Sequence, residues 1–188
     1  TVKAEGKSRQ SSSGLGFSGG IVAVGADFSH ANSDVLTQAV LGNGVKVTGN
    51  ALHVIAASED ANFAYGVAGS GGLASAPFSE ATTSSISQTY ARTGSGNNAT
   101  SDARKIDVSS LQVTASHVVR FDSWMDNTNA SLIGASGAQA TNKVNAESEA
   151  SIGTSGWIEA DNIAMQAYND VLKGAPPGYV GYGEGGVL

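Results

Sequence analysis

The segment Val45-Lys-Val-Thr-Gly-Asn-Ala-Leu-His-Val-Ile-Ala56 decides the fold because it recurs twice without a gap. The two copies are Arg104-Lys-Ile-Asp-Val-Ser-Ser-Leu-Gln-Val-Thr-Ala115 and Gly156-Trp-Ile-Glu-Ala-Asp-Asn-Ile-Ala-Met-Gln-Ala167. Four apolar columns are shared: Val47/Ile106/Ile158, Leu52/Leu111/Ile163, Val54/Val113/Met165 and Ala56/Ala115/Ala167. Mostly polar residues alternate with them, as in Thr48/Asp107/Glu159. Apolar residues at every second position describe a strand with one buried face. Gly49-Asn50 and Asp161-Asn162 supply a small-residue corner inside the window. Ala56 and Ala115 are 59 residues apart, and Ala115 and Ala167 are 52 apart.

Upstream of the outer copies, Ala39-Val-Leu-Gly42 and Ala150-Ser-Ile-Gly153 stand at the same offset. Before the middle copy the polar run Gly94-Ser-Gly-Asn-Asn-Ala-Thr-Ser-Asp102 reads as a loop inserted at a corner, and the agreement is expected to break there. A second marker is a glycine turn followed by small or apolar residues: Ser18-Gly-Gly-Ile-Val-Ala-Val24, Ser70-Gly-Gly-Leu-Ala-Ser75, Ser136-Gly-Ala-Gln-Ala140 and Gly185-Gly-Val-Leu188. Short strands, small corners and a long repeat predict an all-β chain folded as a right-handed parallel β-helix, a solenoid with two or three turns of about 20 residues per repeat. Residues 1–17 form an irregular leading segment on this reading. The repeat domain is 18–188, in units 18–69, 70–135 and 136–184, with a further unit starting at 185. A β-sandwich is the competing all-β arrangement. A helical reading is weaker, because windows such as 162–173 show helical periodicity no better than their alternation.

Composition narrows the function. The 188 residues include 25 Gly, 3 Pro and no Cys, which excludes a disulfide scaffold. Charged residues are 14%, against about 25% in ordinary domains, which argues against a long charged helix. Ten Lys and Arg against 16 Asp and Glu leave a formal charge of −6, and Arg104-Lys105 is the sole basic cluster. Nothing there could neutralise a row of phosphates, so no nucleic-acid partner is expected. The longest apolar stretch, from Gly19 to Ala26, is far short of the roughly 20 residues that span a bilayer, so no membrane span is expected. Thr1-Val-Lys-Ala-Glu-Gly opens the chain without an initiator Met or an apolar signal core, as expected of an internal or processed fragment.

Candidate chemical sites are weak. His30, His53 and His117 lack a ligand-spaced partner, so no metal site is expected, and His53 and His117 are expected to face solvent. Glu147 and Glu149 lie two apart and would share a strand face, as would Glu159 and Asp161. Paired carboxylates of this kind are what a β-helical polysaccharide lyase or hydrolase would use. Glu59-Asp60 and the oxygen-rich Asp122-Ser-Trp-Met-Asp126-Asn127 are the remaining acidic groups; the latter lacks the glycine-rich calcium nonapeptide. Asn98-Ala-Thr100 and Asn129-Ala-Ser131 match the glycosylation pattern. Phe121 and Trp124 are either a binding patch or packing between turns. No Ser/His/Asp or Cys/His arrangement and no dinucleotide fingerprint stands out, so neither catalytic residues nor a cofactor are expected.

The sequence Ser-Gly-Gly-apolar, Ala-rich strands, Ile-Gly and a closing apolar-x-apolar-x-Ala resembles the repeats of giant bacterial exoproteins of the filamentous-haemagglutinin-like adhesin type, over roughly 18–188. The resemblance implies a secreted, non-catalytic, rod-like β-helix of the cell surface or biofilm matrix. Its partners would be further copies stacked end to end, or covalently continued repeats, and surface glycans or neighbouring cells. Locally, Gly174-Ala-Pro-Pro-Gly-Tyr-Val-Gly-Tyr-Gly-Glu-Gly-Gly-Val-Leu188 is similar to a channel loop of Clp-type AAA+ unfoldases. The phosphate-binding loop those ATPases require is absent from this sequence.

Overall fold

A computed structural model of the chain describes residues 1–94, 104–153 and 156–174. The described residues contain eight strands and no helix: β1 (Val2–Ala23), β2 (Ala26–Ser33), β3 (Leu36–Leu41), β4 (Lys46–Ser75), β5 (Phe78–Thr93), β6 (Lys105–Gly134), β7 (Gly137–Ile152) and β8 (Trp157–Lys173). All pairing is parallel. One sheet runs β1-β4-β6-β8; in the other, β5 pairs with β2 and β3 on one side and with β7 on the other.

The register reproduces the repeat read from the sequence. Val47 pairs with Ile106, which pairs with Ile158, and Ala56, Ala115 and Ala167 are likewise stacked. Every strand therefore meets the strand that lies 52 or 59 residues further on, and the chain forms four layers: β1 to β3, β4 with β5, β6 with β7, and β8. One sequence repeat is one layer. The expected two or three turns within each repeat are not formed, because a residue pairs with its counterpart in the next repeat and not with one about 20 residues away.

Two further expectations change. Residues 1–17 are not irregular: β1 begins at Val2 and stays in register with β4 from Val2–Val54 onward. The marker at Ser136 is out of phase, since Ser18 and Ser70 stack on Asn129 while Gly137 stacks under Phe78. The units thus shift relative to those counted from the glycine turns. The middle copy does keep the upstream marker, because Ala39, Ala91 and Ala150 form one column. The polar run expected as an inserted loop lies, beyond Gly94, outside the described residues, as do Asn98-Ala-Thr100 and the Gly/Tyr-rich segment after Gly174.

At 30 residues, β4 and β6 are far longer than the usual 3–10 and must bend. Their ladder skips Asn50 and, one layer on, Asp161, the corner anticipated in the window, and skips Leu73 further along. The seven-residue difference between 59 and 52 is confined to one connection. Four residues link β3 to β4 and β7 to β8, whereas eleven link β5 to β6.

The sheets face one another across two kinds of interior. At one end Leu52, Val54 and Ala56 of β4 and Ile106, Leu111 and Val113 of β6 pack on Ala39, Leu41 and Ala91. Beyond that, interior positions are small and polar: Ser29 and Ser33 of β2, Ser58, Asp60 and Asn62 of β4, and Ser79 to Thr93 at alternate positions of β5. Side chains compensate one another in size across this gap. Gly14 faces Asp27, and a Cβ on Gly14 would lie 1.7 Å from the Asp27 Oδ1. In the third layer the Gly14 column holds Met125 and the Asp27 column holds Ala138.

Leu111→Ala, in the fully buried cluster, is expected to lower stability by about 2–5 kcal/mol, while Leu132→Ala at the surface changes it by less than about 0.5 kcal/mol. Urea unfolding of the two variants checks the assigned interior. Gly14→Ala is expected to cost about 1–3 kcal/mol through overpacking. Pairing it with Asp27→Ala should recover part of that loss, and simple additivity in a double-mutant cycle would contradict the contact.

Candidate functional site

The largest concentration of interacting ionisable and polar side chains is inside the structure. Asp60 of β4 and His117 of β6 are both fully buried, with His117 Nε2 3.2 Å from Asp60 Oδ2. The Ser85 hydroxyl, from the opposite sheet, donates to the same Oδ2 at 2.7 Å. Parity puts them there: Ser58, Asp60 and Asn62 continue the inward row of Leu52, Val54 and Ala56, and His117 continues that of Leu111, Val113 and Ala115. The expectation that His117 faces solvent is therefore wrong. It sits next to Ser116, which takes the outward position, and it stacks under Ser58. His30 is exposed and His53 half-buried.

Burial alone would raise the Asp60 carboxyl, but the hydrogen bonds from His117, Ser85 and Ser87 outweigh it and hold Asp60 below the usual aspartate range. Asp27 is the opposite case. Burial pushes it up, and the backbone N–H groups of Phe28 and Val67 offset only part of that rise. Asn62 extends the polar row, donating to the Ser33 hydroxyl at 2.8 Å and to the Ser84 carbonyl at 3.1 Å. Ser29 donates to Ser12 at 3.0 Å, and Thr83 donates to Asn142 at 2.7 Å. These bonds join the two sheets. Although Ser, His and Asp meet here, the serine bonds to the aspartate and not to the histidine, so no base activates it.

The paired carboxylates form a second, outward cluster. Glu147 and Glu149 do share one side of β7. Glu149 accepts from Arg92 at 2.9 Å, and Glu147 accepts from Gln88 at 3.2 Å. Arg92 also lies over the Tyr90 ring, 4.0 Å from its centre. Burial, then the Glu147 hydrogen bond, raises the Tyr90 phenol. A lyase needs a base that gives up its proton readily and a cation free to meet a substrate carboxylate. Here Tyr90 is held protonated and Arg92 already has a carboxylate.

The other acidic candidates separate. Glu59 points outward, 3.9 Å from Arg120, while its neighbour Asp60 is inside. Glu159 and Asp161 both lie at the surface of β8. Asp122 and Asp126 flank Trp124, which stacks flat on Tyr65 of the layer before, centroids 4.5 Å apart. Asn129 accepts from Ser75 and Ser131. Among the described residues no group of three His, Cys, Asp or Glu could hold a metal ion, and no helix is long and apolar enough to cross a membrane. The interior cluster escaped the sequence reading because Ser, Thr and Asp mark no hydrophobic face. Its available signal was size: in β5, Ser79, Ala81, Thr83, Ser85 and Ser87 alternate with Phe78, Glu80 and Gln88.

No protein family, curated protein or solved structure matches the chain.

The two buried aspartates are expected to respond to pH with opposite signs. Asp60, held low, stabilises the fold above its unfolded value of 3.8, and that stability is lost as pH falls further. Asp27, held high, favours the fold in acid, and its contribution is lost as pH rises through 3.8 to its raised folded value. At neutral pH, Asp60→Ala should cost about 3–5 kcal/mol by leaving His117 unpaired, whereas Asp27→Asn should stabilise. Denaturant midpoints across the acid range, for both variants and the parent, check the signs.

Proposed function

We propose that the chain is a segment of a right-handed parallel β-helix, a non-catalytic structural part of a large secreted cell-surface adhesin or extracellular matrix fibre, in which copies stack end to end. Layers paired at a constant offset in two facing parallel sheets support the β-helix. Crossovers between parallel strands of one sheet are almost always right-handed, which supports the hand. The repeat grammar supports the adhesin and matrix setting.

The observation that carries the stacking is the contrast between the third and fourth layers. Leu111, Val113 and Val119 are 0% exposed, yet the residues stacked under them, Ile163, Met165 and Val171, are 52%, 54% and 51% exposed. These are interior side chains with no further layer below them among the described residues. The free edge of β1 begins the same columns: Val2-Val54-Val113-Met165 and Ala4-Ala56-Ala115-Ala167. A second copy placed with Val2 under Met165 continues both columns, pairs the open strand edges and covers the apolar row. Rods built this way gain length without needing a larger core.

Electron microscopy and fibre diffraction test this. Uniform fibres with a repeat of about 4.8 Å along the axis are expected. Met165→Lys should abolish them while the chain stays folded, and discrete monomers of the parent at high concentration would overturn the proposal. A polysaccharide-cleaving role resting on Glu147 and Glu149 is the second reading. Release of reducing sugar from an acidic polysaccharide, lost in Glu147→Ala and Glu149→Ala, would favour it.

A further inference from the structure

Stretches 14–24, 66–77 and 127–137 contain no Lys, Arg, Asp, Glu or His, in a chain whose formal charge is −6. They lie in successive layers, so the register assembles them into one uncharged surface. At its centre the ladder skips a residue. Gly20 pairs with Gly72 and Val22 with Ala74, and Gly72 pairs with Ser131 and Ala74 with Ile133, which leaves Ile21, Leu73 and Leu132 unpaired and aligned. Their side chains are 74%, 59% and 82% exposed. They form a ridge with one large apolar residue per layer. Alongside it is a groove of about 320 Å³, lined by residues 22–24, 74–76 and 133–135 of the same three layers, with Ala23, Ser75 and Gly134 as its small central residues.

We propose that this ridge and groove form a lateral self-association surface, on which a second copy of the chain places its own ridge in the groove and receives this ridge in return. Three features select that occupant. The ridge and groove repeat with the layer spacing, about 4.8 Å, and a second copy carries the same spacing. They are adjacent, so a two-fold axis between copies engages both at once, as in an isologous interface. The surface is also neutral, so two copies of net negative charge meet here without bringing like charges together. A lipid surface is disfavoured because no Lys or Arg borders the ridge to hold anionic headgroups.

Area sets when the contact forms. Three layers give a stripe on the order of 15 Å long, well below the roughly 800 Å² per partner of a stable interface. Stacked copies lengthen the stripe in proportion, so pairing becomes stable only along a fibre, by multivalency. In this respect the inference rests on the end-to-end reading.

The chain has no cysteine, so introduced ones report neighbours directly. Leu73→Cys copies mixed with Ala76→Cys copies are oxidised, with Ser109→Cys at a distant corner as the control, and fibre width is read by electron microscopy. Mixed disulfides well above the control and paired fibres are expected. Leu73→Lys with Leu132→Lys should give fibres of half the width, with the melting temperature retained. Paired fibres persisting in the lysine variant, or parent fibres without mixed disulfides, would overturn the proposal. Flotation of the parent on phosphatidylcholine vesicles, lost in the lysine variant and accompanied by loss of the disulfide, would also overturn it in favour of a lipid. Mixed disulfides in concentrated solution without any fibre would support the lateral surface and refute the axial stacking.

Discussion

Parallel pairing at a fixed offset is the constraint on which everything else in this chain depends. Once Val47, Ile106 and Ile158 are stacked, each residue's layer, face and neighbours follow. Backbone N–H and C=O groups are satisfied by the layers on either side, so the fold needs no thick hydrophobic centre to hold its strands. The sparse large side chains of the sequence are sufficient because the apolar packing is confined to one end of each layer, where Leu52, Leu111, Ala39 and Ala91 meet.

Over the rest of each layer, hydrogen bonds between the sheets take the place of that packing. A typical buried hydrogen bond contributes about 0.5–1.5 kcal/mol net, similar to a small apolar contact, but it is directional. Asp60 with His117 and Ser85, and Asn62 with Ser33, therefore set which layer faces which as well as holding the sheets together. Asp27 shows the cost of the same strategy where partners are few. Its carboxylate is wedged between Gly14 and Gly66, and burial is only partly offset.

The strands and their register were legible in the sequence because the repeated windows carry Val, Leu and Ile at alternate positions, and a repeat fixes pairing more firmly than any propensity. The same reading misplaced the layer boundaries, since glycine turns recur wherever small residues are needed and Gly137 owes its presence to the Phe78 ring above it. The number of layers per repeat was also misjudged, because alternation reveals strands but not how far along the chain a strand finds its partner. His117 was misplaced for a related reason: hydropathy assigns a histidine outward, whereas parity carries it inward opposite Asp60. Glu147 and Glu149 were correctly placed on one side of a strand. Their neutralisation by Arg92 and Gln88 comes from the layer above, 57 and 59 residues earlier in sequence, and no local pattern records it.

The connection between β5 and β6 is eleven residues long, where its counterparts have four, yet the columns on both sides of it remain aligned. Growth or shrinkage at that corner is invisible to the ladder. Mutation can therefore rewrite the decoration of the surface there without renegotiating the scaffold, and a lineage of such chains could diversify what it displays while every layer keeps its partners.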